Sequence, residues 1–169
     1  YQPGKSLLFD KPFYYVDAST FYYGYKDIVL GEPYKFKAAT DDPYILDCGA
    51  NIGLSVVYFK TLYPKSTVVA FEPDPQIFKT LSDNVEINKL TNVELVNKAI
   101  WIDNGSIEFE VEGGFSGRIN QYNSQSNLVK VGCQRLNDLL TKPIDFLKID
   151  IEGAEYKVIK DCIDNLYFV

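Results

Sequence analysis

The most constraining feature of this sequence is a short apolar run that ends in an acid and a glycine-rich turn. Tyr44-Ile45-Leu46-Asp47-Cys48 leads directly into Gly49-Ala50-Asn51-Ile52-Gly53. A run of this length and polarity reads as a strand buried on both faces. Leu54, Val57, Tyr58 and Leu62 then recur at helical spacing, and Pro64 ends that helix. Thr67–Phe71 is a second β-branched strand, closing on Glu72-Pro73-Asp74-Pro75, where Pro75 suits the first turn of the next helix. Ile77, Phe78, Leu81, Val85 and Leu90 give that helix its apolar face, and Val93–Ile100 reads as a third strand. Strand, helix, strand, helix, strand at this spacing predicts right-handed βαβ units: an α/β, Rossmann-like parallel sheet with helices on both faces.

Around this block the signals are looser. Residues 1–40 are rich in Tyr, Phe, Gly and Pro and read as an N-terminal cap, with short strands or turns around Phe21–Tyr25 and Asp27–Leu30. Residues 41–169 read as the main domain. After the Asn104-Gly105 turn, Ser106–Val111 alternates as a strand, and Gly113–Asn127 is a polar loop suited to a lid over an acceptor. Leu128–Cys133 reads as a strand, Leu136–Leu140 as a short helix, Ile144–Ile149 as a strand ending at Asp150, and Glu152–Asn165 as a helix. Phe168-Val169 reads as the start of another strand. Further strands are expected beyond this sequence or from another chain, because the sheet would otherwise end in an open edge. The absence of Met, at position 1 and throughout, leads us to expect that the chain is longer at its N-terminus too.

Composition excludes several classes. The 169 residues favour one domain, and a net charge of −6 with no basic stripe disfavours nucleic acid as a partner. No apolar run reaches the roughly 18–20 residues of a membrane span, and no secretory signal opens the chain. Cys48, Cys133 and Cys162 lack metal or disulfide spacing and fit small buried residues in a reducing cytoplasm. With no His, the Ser-His-Asp and Cys-His systems and any His general base are excluded within this chain. No metal site is predicted, since the carboxylates lack a specific ligand spacing. The oligomeric state has no signal in the sequence.

The chemistry concentrates at strand ends, where open α/β sheets bind ligands. Gly49 permits a tight turn and close approach of a ligand, and Gly53 lets the helix start close to the strand. Dinucleotide sites use G-x-G-x-x-G around a pyrophosphate; here the spacing is Gly49-x-x-x-Gly53, with Asn51 between. Asp47 would repel a pyrophosphate but suits a cationic amino group, directly or through water, so a ligand with an amino-acid end is favoured over NAD. Glu72 lies roughly 20 residues beyond the turn, where an acid accepts hydrogen bonds from ribose hydroxyls. Lys98 and Ala99, in Asn97-Lys98-Ala99-Ile100, are placed to read a base edge. Asp150 leaves a buried strand at the ligand edge, and Glu152 and Glu155, three apart, are expected on one helix face.

These segments together resemble the FkbM family of methyltransferases. The likeness rests on Ile45-Leu46-Asp47-Cys48-Gly49-Ala50-Asn51-Ile52-Gly53, Ala70-Phe71-Glu72-Pro73-Asp74-Pro75, Asn97-Lys98-Ala99-Ile100 and Leu147-Lys148-Ile149-Asp150-Ile151-Glu152-Gly153-Ala154-Glu155, in family order over residues 44–165. The resemblance implies a class I methyltransferase fold, S-adenosylmethionine as donor, and O-methylation of a hydroxyl on a sugar, glycan or other small molecule. It carries cofactor binding onto Asp47, Gly49, Asn51, Gly53 and Glu72, with Ala50 and Pro73 beside them, and an active-site role onto Asp150, Glu152 and Glu155. Asp150 is the first choice for a general base and Glu152 the second, with Glu155 on the substrate side. Asp150-Ile151-Glu152-Gly153 is unlike the Asn/Asp-Pro-Pro-aromatic turn of many N-methyltransferases. A non-catalytic nucleoside-binding or partner-binding module and an NAD-type oxidoreductase are the competing readings.

Overall fold

In a computed structural model, residues 3–111, 117–119 and 128–169 are described. An antiparallel hairpin, β1 (Gly4–Leu8) and β2 (Lys11–Tyr15), comes first. The expected strands or turns after it are helical instead: α1 (Ala18–Gly24) runs into a wider π-helical stretch, Tyr25–Leu30. Local chemistry explains the outcome. Asp17 caps the helix, its Oδ2 accepting from the amides of Ser19 and Thr20, each at 2.9 Å. Phe21 then stacks on Phe13 and Tyr15 of the hairpin. A cap and a tertiary anchor outweigh the β-preference of an aromatic stretch.

The central block follows as β3 (Tyr44–Cys48), α2 (Leu54–Leu62), β4 (Thr67–Phe71), α3 (Pro75–Ile87) and β5 (Val93–Val96). Later come β6 (Ala99–Trp101), β7 (Gly105–Val111), β8 (Gly117–Ile119), β9 (Leu128–Arg135), a 3-10 turn at Leu136–Leu139, β10 (Phe146–Ile149), α4 (Glu155–Cys162) and a second 3-10 stretch, Ile163–Phe168. One sheet is parallel throughout, in the order β10-β3-β4-β5. Successive residues of its strands feed opposite faces. Leu46, Cys48, Val69 and Phe71 pack with Val158 and Cys162 of α4, whereas Ile45, Val68 and Ala70 pack with Val56 and Phe59 of α2 and Leu81 of α3. Helices therefore cover both faces, and the architecture is the α/β, Rossmann-like parallel sheet that the strand spacing predicted.

Several boundaries differ from expectation. The third strand divides at Asn97-Lys98: β5 ends the parallel sheet, and β6 joins a separate mixed sheet, β6-β9-β7-β8. The last helix begins at Glu155, because Glu152 and Gly153 both take left-handed backbone angles, φ 56° and 93°. Where Phe168-Val169 suggested a strand, the 3-10 stretch continues to Phe168. Most of Gly113–Asn127, the proposed lid, lies outside the described residues.

The N-terminal segment is seated on the central block. Leu8 and Phe13 share a core with Ile52, Leu54, Val57 and Ile77. Asn84 of α3, fully buried, accepts from the amide of Tyr14 at 2.7 Å and donates to the carbonyls of Tyr14 and Ile52 at 2.9 and 2.8 Å.

Candidate active site

Three parallel strands end on the same edge and deliver Asp47, Glu72 and Asp150 to it. The turn after β3 is fixed by packing. Gly49 has φ +86°, and a side chain there would collide with the backbone carbonyl of Asp150. Its close approach is thus to the loop after β10, which locks two strand ends together. At Gly53, φ +92°, a Cβ would stand 2.7 Å from Leu81 Cδ1, so this glycine seats α2 against α3. Asn51 also has positive φ, 50°, a conformation that Asn tolerates better than most residues.

Asp47 does not face open solvent. Its side chain is 0% exposed, and Lys148 Nζ, on a side chain 3% exposed, lies 3.1 Å from its Oδ1. Ser55 Oγ donates to Oδ2 at 2.5 Å. The cation that Asp47 faces in this structure is therefore Lys148. Lys148 also donates to the carbonyl of Gly49 at 2.7 Å and lies 3.6 Å from Asp150 Oδ2. Burial pulls its pKa down, but Asp47, Asp150 and Tyr34 together outweigh it and raise it, so the ammonium stays charged.

Glu72, at the end of β4, is buried and lines a cleft. Its Oε2 accepts from the Asn51 amide and its Oε1 from the Asp74 amide, both at 2.9 Å. Each oxygen keeps lone-pair capacity for a ligand. Burial pushes its carboxyl up to about 7, while those two amides pull it down. Asn97 holds the adjoining loop, donating to the carbonyls of Glu72 and Pro73 at 2.8 and 3.1 Å.

Asp150 is the open acid of the three, with a side chain 57% exposed. Tyr34 OH donates to its Oδ2 at 3.5 Å, the same oxygen that Lys148 approaches. Glu152 lines the cleft from a left-handed loop position and does not share a helix face with Glu155. Glu155 instead folds that loop: Oε1 accepts from the Ile151 amide at 2.9 Å and Oε2 from the Gly153 amide at 2.8 Å.

Two clefts meet at the Gly49–Asn51 turn. The first is lined by Glu72, Pro73, Lys98, Ala99, Asp150 and Glu152 among others. The Lys98 amide already bonds Val96 O at 2.9 Å, so any base reading by Lys98 falls to its side chain. The second lies between α1 and the turn and shares Gly49, Asn51 and Asp150 with the first. Among the described residues, no three His, Cys, Asp or Glu side chains gather into a metal-binding group, and no helix is long and apolar enough to cross a membrane.

Sequence reasoning missed Lys148, Tyr34 and Asn97. Lys148 carried one signal, a lone cation in an otherwise apolar strand. Its meaning emerges only with the strand order, which sets Lys148 directly opposite Asp47.

This edge thus carries a buried acid–lysine pair, a buried acid at the end of β4 and two open carboxylates, Asp150 and Glu152. The profile of the methyltransferase FkbM domain matches residues 47–168, and the chain belongs to that family of methyltransferases. "Methyltransferase 1" of Beauveria bassiana is 29% identical over 84% of this chain and 70% of its own length. The 2-O-methyltransferase NoeI of Sinorhizobium fredii is 31% identical, over 70% of this chain and 56% of that protein. The hexuronic acid methyltransferase AglP of Haloferax volcanii is 26% identical, over 78% of this chain and 54% of that protein. The match thus spans little more than half of these last two relatives. The solved M. jannaschii TYW2 in complex with AdoMet overlays at a TM-score of 0.44 with 19% identity, covering 65% of this chain and 64% of that one. No role is carried over from a likeness of that size.

Proposed function

We propose that the chain is an S-adenosylmethionine-dependent O-methyltransferase acting on a hydroxyl of a sugar, glycan or other small molecule. The observation that carries this reading is the convergence of Glu72 and Asp150 on one cleft, with Lys148 tying the glycine turn to Asp150. Glu72 fits a nucleoside: a buried carboxylate with spare acceptor capacity suits two ribose hydroxyls, and Pro73, Lys98 and Ala99 border the space beyond it. Asp47 acts through Lys148 in this reading. NoeI, by its name a 2-O-methyltransferase, supports oxygen as the atom methylated.

When bound, the donor supplies an electrophilic methyl group whose C–S bond breaks as the C–O bond forms. The protein's share is alignment and proton transfer. An alcohol is a weak nucleophile, and Asp150 Oδ1 takes its proton while Lys148 and Tyr34 hold Oδ2. Glu152, on the same cleft wall, is the second candidate for that proton. Glu155 positions the loop bearing both. The three buried thiols suit a reducing cytoplasm.

Two measurements test the proposal. Calorimetry should show binding of S-adenosylmethionine and none of NAD. Asp150→Asn should lower kcat by about 100- to 10,000-fold with little change in donor affinity. Full turnover by that variant would reject the base assignment, and donor binding without methyl transfer to any hydroxyl would favour a non-catalytic module.

A further inference from the structure

The second cleft adjoins the proposed donor site, and the donor reading does not absorb it. One wall is the turn and the start of α2, through Ile52 and Leu54; the other is Tyr23 and Gly24 of α1 with Ile28 beyond. These latter residues lie outside the family match at 47–168. Tyr23 leaves 60% of its surface exposed and meets Tyr22, 61% exposed, edge to face at 5.5 Å, so the cleft wall carries an exposed aromatic pair. At the inner end stand Lys148 and Asp150.

We propose that this cleft seats the methyl acceptor, and that the acceptor it fits is a neutral hydroxyl compound with an apolar face. The inference rests on the methyltransferase reading above. In-line displacement brings the nucleophile to the methyl carbon from the side opposite the leaving group. A donor anchored at Glu72 occupies the first cleft, and the second cleft adjoins it, sharing Gly49, Asn51 and Asp150. Charge decides the acceptor class. Lys148 is the only cation among the described residues lining the cleft, and it is shared between Asp47 and Asp150, so the three groups together carry one net negative charge at the inner end. A carboxylate or phosphate on the acceptor meets repulsion there, while a neutral hydroxyl meets a hydrogen-bond acceptor. The apolar walls suit the C–H face of a sugar ring or an alkyl or aryl substituent.

The test uses the protein saturated with S-adenosylhomocysteine and two probes that share an aglycone, p-nitrophenyl β-D-glucopyranoside and p-nitrophenyl β-D-glucuronide. Calorimetric titration should show the neutral glucoside binding at least about tenfold more tightly. Tyr23→Ala, at an exposed position that leaves the fold intact, should weaken the glucoside about fivefold with unchanged affinity for S-adenosylhomocysteine. Tyr23→Lys should narrow the gap between the two probes. Equal or tighter binding of the glucuronide, or no binding of the glucoside, overturns the proposal. Weakened binding of S-adenosylhomocysteine by Tyr23→Ala also overturns it, assigning the cleft to the donor. If S-adenosylhomocysteine fails to bind the wild-type protein, the methyltransferase reading falls instead, and the two probes are then compared on the free protein.

Discussion

The two clefts that meet at the Gly49–Asn51 turn are built from different parts of the chain and from different chemistry. The first draws its walls from strand ends inside the span shared with the family and presents carboxylates and backbone polar groups. The second takes one wall from residues 20–28, outside that span, and is mostly apolar. A donor site follows from the fold itself, because every parallel sheet of this kind presents strand ends and a helix start at one edge. An acceptor site does not; it depends on whichever segment is laid across that edge. Asp150 belongs to both, which is why its position matters more than that of either neighbouring acid.

The first way to break this division is through Lys148. Lys148→Met leaves Asp47 buried and unpaired and should cost about 3–5 kcal/mol in a denaturant titration. The double variant Lys148→Met/Asp47→Leu should recover most of that stability yet remain impaired in turnover, since Asp150 has lost its partner. Full recovery of both would reduce the pair to a core contact. Next in size, Gly49→Ala combines a left-handed backbone with a clash against Asp150 O and should cost roughly 2–4 kcal/mol. Equal stability and activity in that variant would show that the two strand ends need not touch.

The smallest effect sharpens the donor side alone. In the proposed donor site Glu72 would accept from the ribose as its carboxylate, and burial raises its pKa to about 7. Donor binding favours the ionised form, so it should release a proton near neutrality. Affinity should therefore rise about tenfold from pH 6 to pH 8 and then level off. Glu72→Gln should bind more weakly and without this dependence. Calorimetry in buffers of different ionisation enthalpy measures the proton directly; a wild-type affinity that is flat over this range would separate Glu72 from the donor.

The central block was legible in the sequence because its signals are local. Ile45–Cys48 and Val68–Phe71 are apolar runs bounded by turn residues, and their period and spacing carry over directly into strands and crossovers. The missed elements depend on partners far away in the chain. Val93–Ile100 reads as one strand by composition, but Asn97 turns back to the carbonyls of Glu72 and Pro73 and sends Ala99–Trp101 to the other sheet. Tyr22 and Tyr23 favour a strand on propensity, yet Asp17 and the hairpin make them helical. Within the site, residue types at the strand ends could be read, while their exposure could not. Asp47 and Asp150 look alike in the sequence; only the register of β10 on β3, which aligns Lys148 with Asp47, makes one a buried anchor and the other an open carboxylate.

The amide of Asn84 joins the hairpin, through both backbone groups of Tyr14, to the carbonyl of Ile52 in the donor turn. Asn88, one helical turn on, adds a bond to the carbonyl of Pro12 at 3.0 Å. The unit that can be exchanged between relatives is accordingly larger than the N-terminal segment. A graft of the hairpin and α1 from another family member keeps its alignment with the turn only if the matching face of α3 travels with it. Chimaeras divided at residue 40 should lose that alignment, whereas those that also transfer positions 84 and 88 should keep it.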